Sequence, residues 1–444
     1  MKSITKRFIS LLFLLILSID LISCKFLEKN LASKYDDYEI IYVIKTDDES
    51  AFREAIDKLN QNGGFIIVNT TVVSISNNTK INITSTTPGG IIGVIQPNGE
   101  YPRLDFKGQR NYAPQYPSAL YIFGSNQFIK YLIIENSAYN GISILGHQNT
   151  IDHVITRYNF CNGIEIHKDA NANIINHCYS YRNCGWKTFG SMGNGFSHHL
   201  GANNNIYSYC FAWDNSNNGF HSYVYGENEV NSTDITYLHS ASWNNGGFEV
   251  FIGKYDYDNG KPLDKNLYTI QEIMKSDENF ESNYINKKFS VENATIDEMD
   301  VLHYCSMVNG VVSGNGFEFG SKYPPNGNNY NRTAEYSVAF DQKGKGFDNY
   351  NKQKYIGYFS NCVGFNNNMN YLLPYTFAKW ENNWSWGAKK GDEILLGTTT
   401  KKPNNENTAK RIFYSIRDQI IKSVTSNTFP ESINFDIAIK SLKE

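Results

Sequence analysis

The feature that most constrains this fold is a short phrase that recurs along the chain: a polar residue, Gly, then Ile or Phe, then one variable residue. Most neighbouring copies lie about 22 to 30 residues apart, a spacing typical of a solenoid with stacked coils. The variable residues should therefore stack along one face, which would form a groove for an extended polymer. These residues are Ser143, Glu165, Ser197, His221, Glu249, Glu318 and Asp348.

A second recurring segment precedes most of these phrases. It alternates small or apolar residues with polar ones, which is a period-two strand signal, and it ends in an amide. Each amide follows an aromatic residue by two positions. This register predicts a ladder of amides inside a turn, where each side chain bonds backbone groups and the amide of the next coil. The amides are Asn183, Asn215, Asn245, Gln342 and Asn367.

Composition narrows the function classes. The chain has 444 residues and a net charge of −3, so there is no electrostatic case for nucleic-acid binding. Aromatic residues make up 14% of the chain, including 31 Tyr. Rings can stack on sugars, but we expect ring stacking between coils to be the main reason for this content. We expect the protein to be a monomer.

The N-terminus predicts export. Residues 1–24 have a basic start followed by an apolar stretch over residues 8–17, as in a signal peptide. This stretch is too short for a permanent membrane span. The sequence Leu21-Ile22-Ser23-Cys24 resembles a bacterial lipobox. The protein is then either secreted or a cell-surface or outer-membrane lipoprotein, which would touch the membrane only through a lipid on Cys24. Residues 25–45 are predicted to be a tether.

The remaining chain divides into two parts. We predict coils over residues 46–375, interrupted by a long loop at about residues 254–300. Thr46-Asp-Asp-Glu49 reads as a capping box for a short helix that caps the first coil. Residues 376–444 form a C-terminal extension. Isoleucines at four-residue spacing predict a helix over residues 408–424 that caps or flanks the C-terminal end.

Five of the seven cysteines fall into two sets. Cys178, Cys210 and Cys362 share one strand position and are predicted to be packed core thiols. Cys161 and Cys184 follow ladder amides on neighbouring coils and are a candidate disulfide pair.

Three stretches carry a resemblance to a known family: residues 194–200, 211–220 and 314–320, reading NGFSHHL, FAWDNSNNGF and GNGFEFG. They resemble the family-nine polysaccharide lyases, which are pectate lyases. The resemblance implies an all-β fold, a right-handed single-stranded parallel β-helix, here with an N-terminal cap helix and a C-terminal helical tail. It also implies β-elimination on an acidic polysaccharide of the polygalacturonate type, that is, pectin degradation.

This sequence departs from the family pattern at the residues that perform the family's chemistry. The family holds calcium with carboxylates, whereas amides and a histidine stand at the matching positions here. An amide oxygen can bind calcium but brings no charge, so we do not transfer the family's calcium site to these residues, and a weakened calcium site stays open as an alternative. The family's lysine base is replaced by Glu318, or by Glu249 if the long loop conceals an extra coil. The residues at the calcium positions are Asn194, Asn217, Asn218 and His221.

Three functions remain open, and the residues favour an enzyme. The first is a lyase with a new base, for which His199 and His221 are the acid or base candidates. Lys345 would neutralise a uronate without metal. The residues predicted to contact substrate are Asn194, Asn217, Asn218, His198 and Lys345.

The second function is a glycoside hydrolase that uses the carboxylates Glu249, Glu318 and Asp348, since paired carboxylates perform glycoside hydrolysis. The third is a non-catalytic surface protein that binds glycans through exposed aromatic rings and polar side chains.

Overall fold

A computed structural model describes most of the chain from residue 40 onward. The predicted signal peptide, Cys24, most of the long loop and Glu249 lie outside the described residues. The described residues are 40–76, 80–107, 109, 118–167, 169–185, 192–199, 201–223, 234–246, 255–256, 261–262, 290–291, 294–295, 313–320, 331–349, 356–373, 377–394, 398–430 and 433–442.

The chain winds into a parallel β-helix whose coils each contribute strands to three stacked columns, here called the back, side and site sheets. The back sheet contains β1 (Ile40–Ile44), β2 (Gly64–Val68), β5 (Gly89–Gly93), β8 (Gln127–Glu135), β10 (Thr150–Arg157), β12 (Ile174–Asn176), β15 (Asn205–Ser208), β18 (Ile235–Leu238), β25 (Asn331–Glu335), β28 (Ile356–Ser360) and β31 (Phe377–Glu381). Strands β8 and β10 bend and continue into the side sheet, where β8 pairs with β6 and β10 pairs with β13. These two strands therefore connect the back and side sheets.

The side and site sheets follow in each coil. The side sheet contains β3 (Val72–Ser74), β6 (Arg103–Asp105), β13 (Tyr179–Tyr181), β16 (Phe211–Trp213), β19 (Ala241–Trp243), β26 (Val338–Phe340), β29 (Val363–Phe365) and β32 (Trp384–Trp386). The site sheet contains β4 (Ile81–Ile83), β7 (Leu120–Ile122), β9 (Ile142–Ile144), β11 (Ile164–Ile166), β14 (Phe196–His199), β17 (Phe220–Tyr223), β24 (Phe317–Glu318), β27 (Lys345–Asp348), β30 (Met369–Leu373) and β33 (Glu393–Ile394).

Helix α1 (Glu49–Asn62) caps the first coil, as predicted. Its N-cap is Asp48, whose carboxylate accepts the Ala51 backbone N–H, so the predicted capping box at Thr46 is two residues too early. The C-terminal extension contains helix α2 (Glu406–Thr425), which confirms the predicted helix, and helix α3 (Asp436–Ser441).

The predicted amide ladder is present at the turn between the side and site sheets; we call it the turn ladder. Asn183 Nδ2 donates to Asn215 Oδ1 at 3.0 Å, and Asn215 Nδ2 donates to Asn245 Oδ1 at 3.0 Å. The same acceptors receive backbone N–H groups from the preceding coil at 3.0 to 3.1 Å. Asn159 extends the ladder at one end, and Gln342 and Asn367 extend it at the other. Each amide therefore fixes the position of one coil relative to the next along the solenoid axis.

Aromatic rings stack inside and outside the coils, which confirms that they serve the fold. The interior rings are 4.6 to 5.1 Å apart from centroid to centroid. A second stack lies on the outer face of the side sheet, where Phe413 and Phe435 of the C-terminal extension cover it. The helices of the extension therefore flank the side sheet, while Lys401 of the extension pairs with Trp384 in the last coil. The interior rings are Phe196, Phe220, Phe317, Phe347 and Tyr371, and the outer ones Tyr181, Trp213, Trp243, Phe340, Phe365 and Trp386.

The long loop interrupts a single coil. The chain leaves the coil at Gly246 and returns at Gly314, and both residues have positive φ, 93° and 60°. A Cβ on Gly246 would lie 2.3 Å from Gly314 Cα, so only glycine allows the two chain segments to pass this closely. Strand β17 pairs directly with β24, so the loop places no strand between them in the site sheet. Within the loop, the described residues form two short hairpins, β20 (Tyr255–Asp256) with β21 (Lys261–Pro262) and β22 (Ser290–Val291) with β23 (Ala294–Thr295).

The predicted boundaries need two corrections. Strand β1 pairs with β2, so the end of the predicted tether already belongs to the solenoid. Strands β31, β32 and β33 add a further coil after residue 375, and this coil lacks the recurring phrase.

The prediction of packed core thiols is confirmed, and the candidate disulfide is not formed. Cys178, Cys210 and Cys362 are buried thiols, whereas Cys161 and Cys184 are buried and free, not a disulfide. Within the described part of the chain, no helix is both long and apolar enough to cross a membrane.

The turn ladder yields a stability prediction. Replacing Asn215 with Ala removes the oxygen that accepts the Asn183 backbone N–H and Nδ2, and the Nδ2 that donates to the Ser180 carbonyl and to Asn245 Oδ1, in a buried turn. Each buried unpaired group costs about 1–3 kcal/mol, so we expect Asn215→Ala to lower the free energy of unfolding by at least about 2 kcal/mol. Denaturant unfolding measures the change. The matched control is Asn404→Ala at an exposed position, and an equal effect of both changes would contradict the ladder's role.

Candidate functional site

The outward side chains of the site sheet form the floor of the predicted groove in two columns. In the first, Glu165 is level with Ser143 and Ser197 on the neighbouring strands, and His221 is level with Glu318. Glu318 is in turn level with Asp348. In the second column, two residues further along each strand, the rings of His167 and His199 stack 5.4 Å apart. The predicted column is therefore present for every member that the structure describes. We call these two columns the floor.

A second ladder of asparagines, here called the site ladder, precedes each site strand. Asn162 Oδ1 accepts the Asn194 backbone N–H at 3.1 Å, and Asn194 Oδ1 accepts the Asn218 backbone N–H at 3.0 Å. Asn218 Oδ1 accepts the Asn315 backbone N–H at 2.8 Å. Because their amides are buried and engaged between coils, Asn194 and Asn218 hold the backbone; their predicted role as substrate contacts does not fit this position.

The first charged cluster on the floor centres on Glu165, which is buried. Its carboxylate accepts hydrogen bonds from His199 Nε2 and Asn140 Nδ2, and His167 Nε2 lies 3.3 Å from Oε2. Burial alone would raise the pKa of Glu165, but the hydrogen bonds and charges of His167 and His199 outweigh it and hold the pKa well below its usual range. Glu165 is therefore an ionised carboxylate that holds two imidazoles.

The second cluster contains Glu318 and Asp348 on adjacent strands. Glu318 Oε2 accepts from Asn218 Nδ2 at 2.7 Å and from Asn315 Nδ2 at 3.2 Å. Asp348 Oδ2 accepts from Asn315 Nδ2 at 2.8 Å and from Lys345 Nζ at 3.0 Å. Burial, followed by repulsion from Asp348, raises the pKa of Glu318 to about 8. At neutral pH Glu318 therefore carries a proton, unlike Glu165.

His221 lies between the two clusters. Its Nε2 is 3.7 Å from Glu318 Oε1, which is longer than a hydrogen bond. Burial, and then the charge of His199, lower the pKa of His221 to about 3, so its imidazole is neutral at ordinary pH. The floor thus brings together His199, His221, Glu318, Asp348 and Lys345 of the predicted site.

Two other predicted contacts lie off the floor. His198 points into the coil, where only 1% of it is exposed and its Nε2 lies 3.1 Å from Asn205 Nδ2. Strand alternation puts it on the same side as Phe196, so His198 is a core histidine and does not face the groove in which substrate contact was predicted. Asn217 is buried next to Asn218, and its backbone N–H donates to Gly193 O at 2.9 Å.

The residues at the family's calcium positions do not fit a calcium site. The oxygens of Asn194 and Asn218 already accept backbone N–H groups, and neither amide brings charge. His221 offers nitrogen, which calcium does not favour. Strand β24 pairs directly with β17 in the site sheet. The residue level with His221 on the next strand is therefore Glu318 and not Glu249.

Sequence reasoning missed three features of the floor. His167 is two residues after Glu165, so strand alternation could have placed it there. Tyr121 and Phe123 extend the two columns towards the N-terminal end, since Tyr121 is level with Ser143. Their strand lacks the recurring phrase, which is why the pattern did not reveal them.

Comparisons with known proteins agree with the fold. Residues 45–260 match the family model described as Pel9A-like, right handed beta helix region. The crystal structure of pectate lyase Pel9A is similar with a TM-score of 0.55 and 17% identity, over 82% of this chain and 79% of that one. A rhamnogalacturonan lyase is similar with a TM-score of 0.50 and 14% identity, over 83% of this chain and 87% of that one. A comparison with curated protein sequences found no match.

These matches confirm the predicted handedness and fold class. At such identities, the similarity to the solved structures establishes the architecture only. The chemistry of this chain must be argued from its own residues on the floor. Residues 45–260 therefore form a Pel9A-like right-handed β-helix region, and the chain resembles the family-nine pectate lyases in fold.

Proposed function

We propose that this protein cleaves an acidic polysaccharide of the polygalacturonate type by β-elimination, with an imidazole base and without a metal. The observation that carries the proposal is the ionised Glu165 bonded to His199, on the same floor as the protonated Glu318. The fold shared with a pectate lyase and a rhamnogalacturonan lyase is consistent with this substrate class. The predicted export signal is also consistent with a polymer outside the cell.

The base in this proposal is His199. Glu165 accepts the hydrogen on Nε2, which favours the tautomer whose Nδ1 carries the lone pair. Nδ1 then removes the proton from the carbon next to the uronate carboxyl group. The electron pair forms a carbon–carbon double bond, and the glycosidic oxygen leaves from the adjacent carbon and takes up a proton. A positioned imidazole of this kind typically contributes about 10²–10⁴-fold to the rate.

The uronate carboxylate gains negative charge as its neighbouring carbon loses a proton, so the site must stabilise a dianion. In a metal-free site, His221 fills this role, because it is on the strand next to that of His199 and its neutral imidazole can donate a hydrogen bond. Lys345 adds a positive charge beside Asp348. Glu318 is two strands beyond His199 in the site sheet, so its protonated carboxyl group can donate a hydrogen bond to the carboxylate of a neighbouring uronate unit.

The length of the floor suits a polymer. Glu165 and Glu318 are three strands apart in the site sheet. Neighbouring strands are about 4.8 Å apart, so the two groups are separated by roughly 14 Å. A substrate that contacts both must be several sugar units long.

A hydrolase is the second candidate, favoured by Glu318 and Asp348. They are on adjacent strands, about 4.8 Å apart, close to the roughly 5–5.5 Å between the carboxyl groups of retaining glycosidases. Against it, burial raises the pKa of Asp348 as well, and its Oδ2 is held by Lys345 and Asn315, which weakens a nucleophile. A reducing-sugar assay without formation of unsaturated product would support this candidate.

The first test is His199→Ala. We expect kcat on polygalacturonate to fall by about 10²–10⁴-fold because the base is lost, measured by the ultraviolet absorbance of the unsaturated uronate product. The matched control is His147→Ala, since His147 is exposed and lies beyond the end of strand β9. Wild-type rates in both variants would contradict the assignment of His199 as the base.

The second test uses pH. Glu318 is protonated below about pH 8 and ionises above it, where its charge would repel the substrate carboxylate. We therefore expect kcat/KM of the parent protein to fall as pH rises above about 8. Glu318→Gln keeps a neutral hydrogen-bond donor at every pH, so this alkaline decline should disappear. A pH profile that is identical in the parent and in Glu318→Gln would show that Glu318 does not control the decline.

A further inference from the structure

We infer that Tyr121, Phe123 and Lys80 form a sugar-stacking subsite for a uronate unit at the N-terminal end of the floor. The inference rests on the proposed function, because it assigns a binding position to the same polymer. The subsite is separate from the residues that would perform the chemistry.

The first observation is an aromatic platform. The rings of Tyr121 and Phe123 are stacked, with centroids 5.8 Å apart and planes inclined by 15°. Phe123 is 46% exposed and is the most exposed aromatic residue in the part of the chain that the structure describes. The rings of the other aromatic stacks of the solenoid are buried or half-buried. An exposed platform of this kind suits the apolar face of a sugar ring.

The second observation is a positive charge next to the platform. Lys80 is exposed, and its Nζ lies 5.2 Å from the centroid of the Tyr121 ring. The Tyr121 hydroxyl accepts the Ser118 backbone N–H at 3.3 Å, which fixes the ring in place. A ring that binds a sugar face and an ammonium group at its side together match a uronate, whose pyranose ring carries a carboxylate.

The third observation is register. Tyr121 is level with Ser143, which is level with Glu165, so all three belong to the first column of the floor. Tyr121 is therefore roughly 10 Å from Glu165 along the solenoid axis. A polymer that reaches the Glu165–His199 pair continues onto the platform without changing direction.

The structure supplies a matched control. Lys58 Nζ lies 4.6 Å from the centroid of the Tyr42 ring, which is the same pair of residue types on strand β1 and helix α1, away from the floor. Tyr42→Ala and Lys58→Met therefore remove an equivalent ring and charge outside the proposed subsite.

The experiment measures binding by isothermal titration calorimetry, with an oligogalacturonide long enough to span the floor and with its carboxyl-reduced, neutral derivative. We expect Tyr121→Ala and Phe123→Ala each to weaken oligogalacturonide binding about tenfold, and Tyr121→Phe to retain it. Lys80→Met should weaken binding of the charged ligand and leave binding of the neutral one unchanged. The Tyr42 and Lys58 variants should bind like the parent.

The outcomes separate the subsite from the proposed function. Unchanged affinity in Tyr121→Ala and Phe123→Ala, with a parent that binds and cleaves, would overturn the subsite alone. The expected losses with a parent that binds without cleaving would support the subsite and overturn the lyase assignment. A parent that binds no oligogalacturonide would overturn both. Phe123→Ala keeps the test valid if Tyr121→Ala unfolds, because Phe123 is largely exposed.

Discussion

The rest of this structure depends on the hydrogen bonds that asparagine side chains accept from the backbone and the asparagine side chains of the neighbouring coil. The turn ladder fixes one corner of each coil, and the site ladder fixes the start of each site strand. With both corners held, successive site strands stack at the spacing of a parallel sheet. Outward side chains then recur at a constant interval along a straight floor, which is the geometry that an extended polymer requires.

The site ladder also sets the electrostatics of the floor. Its amides donate to the site carboxyl groups: Asn140 to Glu165, and Asn218 and Asn315 to Glu318. The two glutamates nevertheless have opposite protonation states, because two histidines surround Glu165 whereas Asp348 faces Glu318. A pair of acids whose pKa values are separated by their surroundings is a usual way to supply a charged and a neutral carboxyl group in one site. In the proposed function, these surroundings supply a histidine base beside the charged glutamate and a neutral hydrogen-bond donor in the other glutamate.

Much of the fold could be predicted from the sequence, because stacking forces a fixed period on the chain. The recurring glycine phrase gave the register of the site column, and the amides after each strand gave the turn ladder. The final coil could not be predicted, since β31 to β33 lack the phrase. The length of the long loop concealed which residue follows His221, and only the pairing of β17 with β24 resolved it.

The site was less predictable than the fold. The role of an asparagine depends on which groups lie on the neighbouring coil, so Asn194 and Asn218 could not be assigned to the ladder from their local sequence. His198 and His199 are adjacent, yet one faces the core and the other the floor; the apolar Phe196 was the available signal for this alternation. The export signal and the lipid on Cys24 remain predictions.

The most direct test of a metal-free imidazole site is turnover of polygalacturonate by the parent protein in excess chelator and in excess calcium, followed by the absorbance of the unsaturated uronate product. We expect product at the same rate under both conditions, because the proposed base and hydrogen-bond donors are all side chains of the protein. Product formation only with calcium would contradict it, since the amides at the family's calcium positions would then have to assemble a metal site after all.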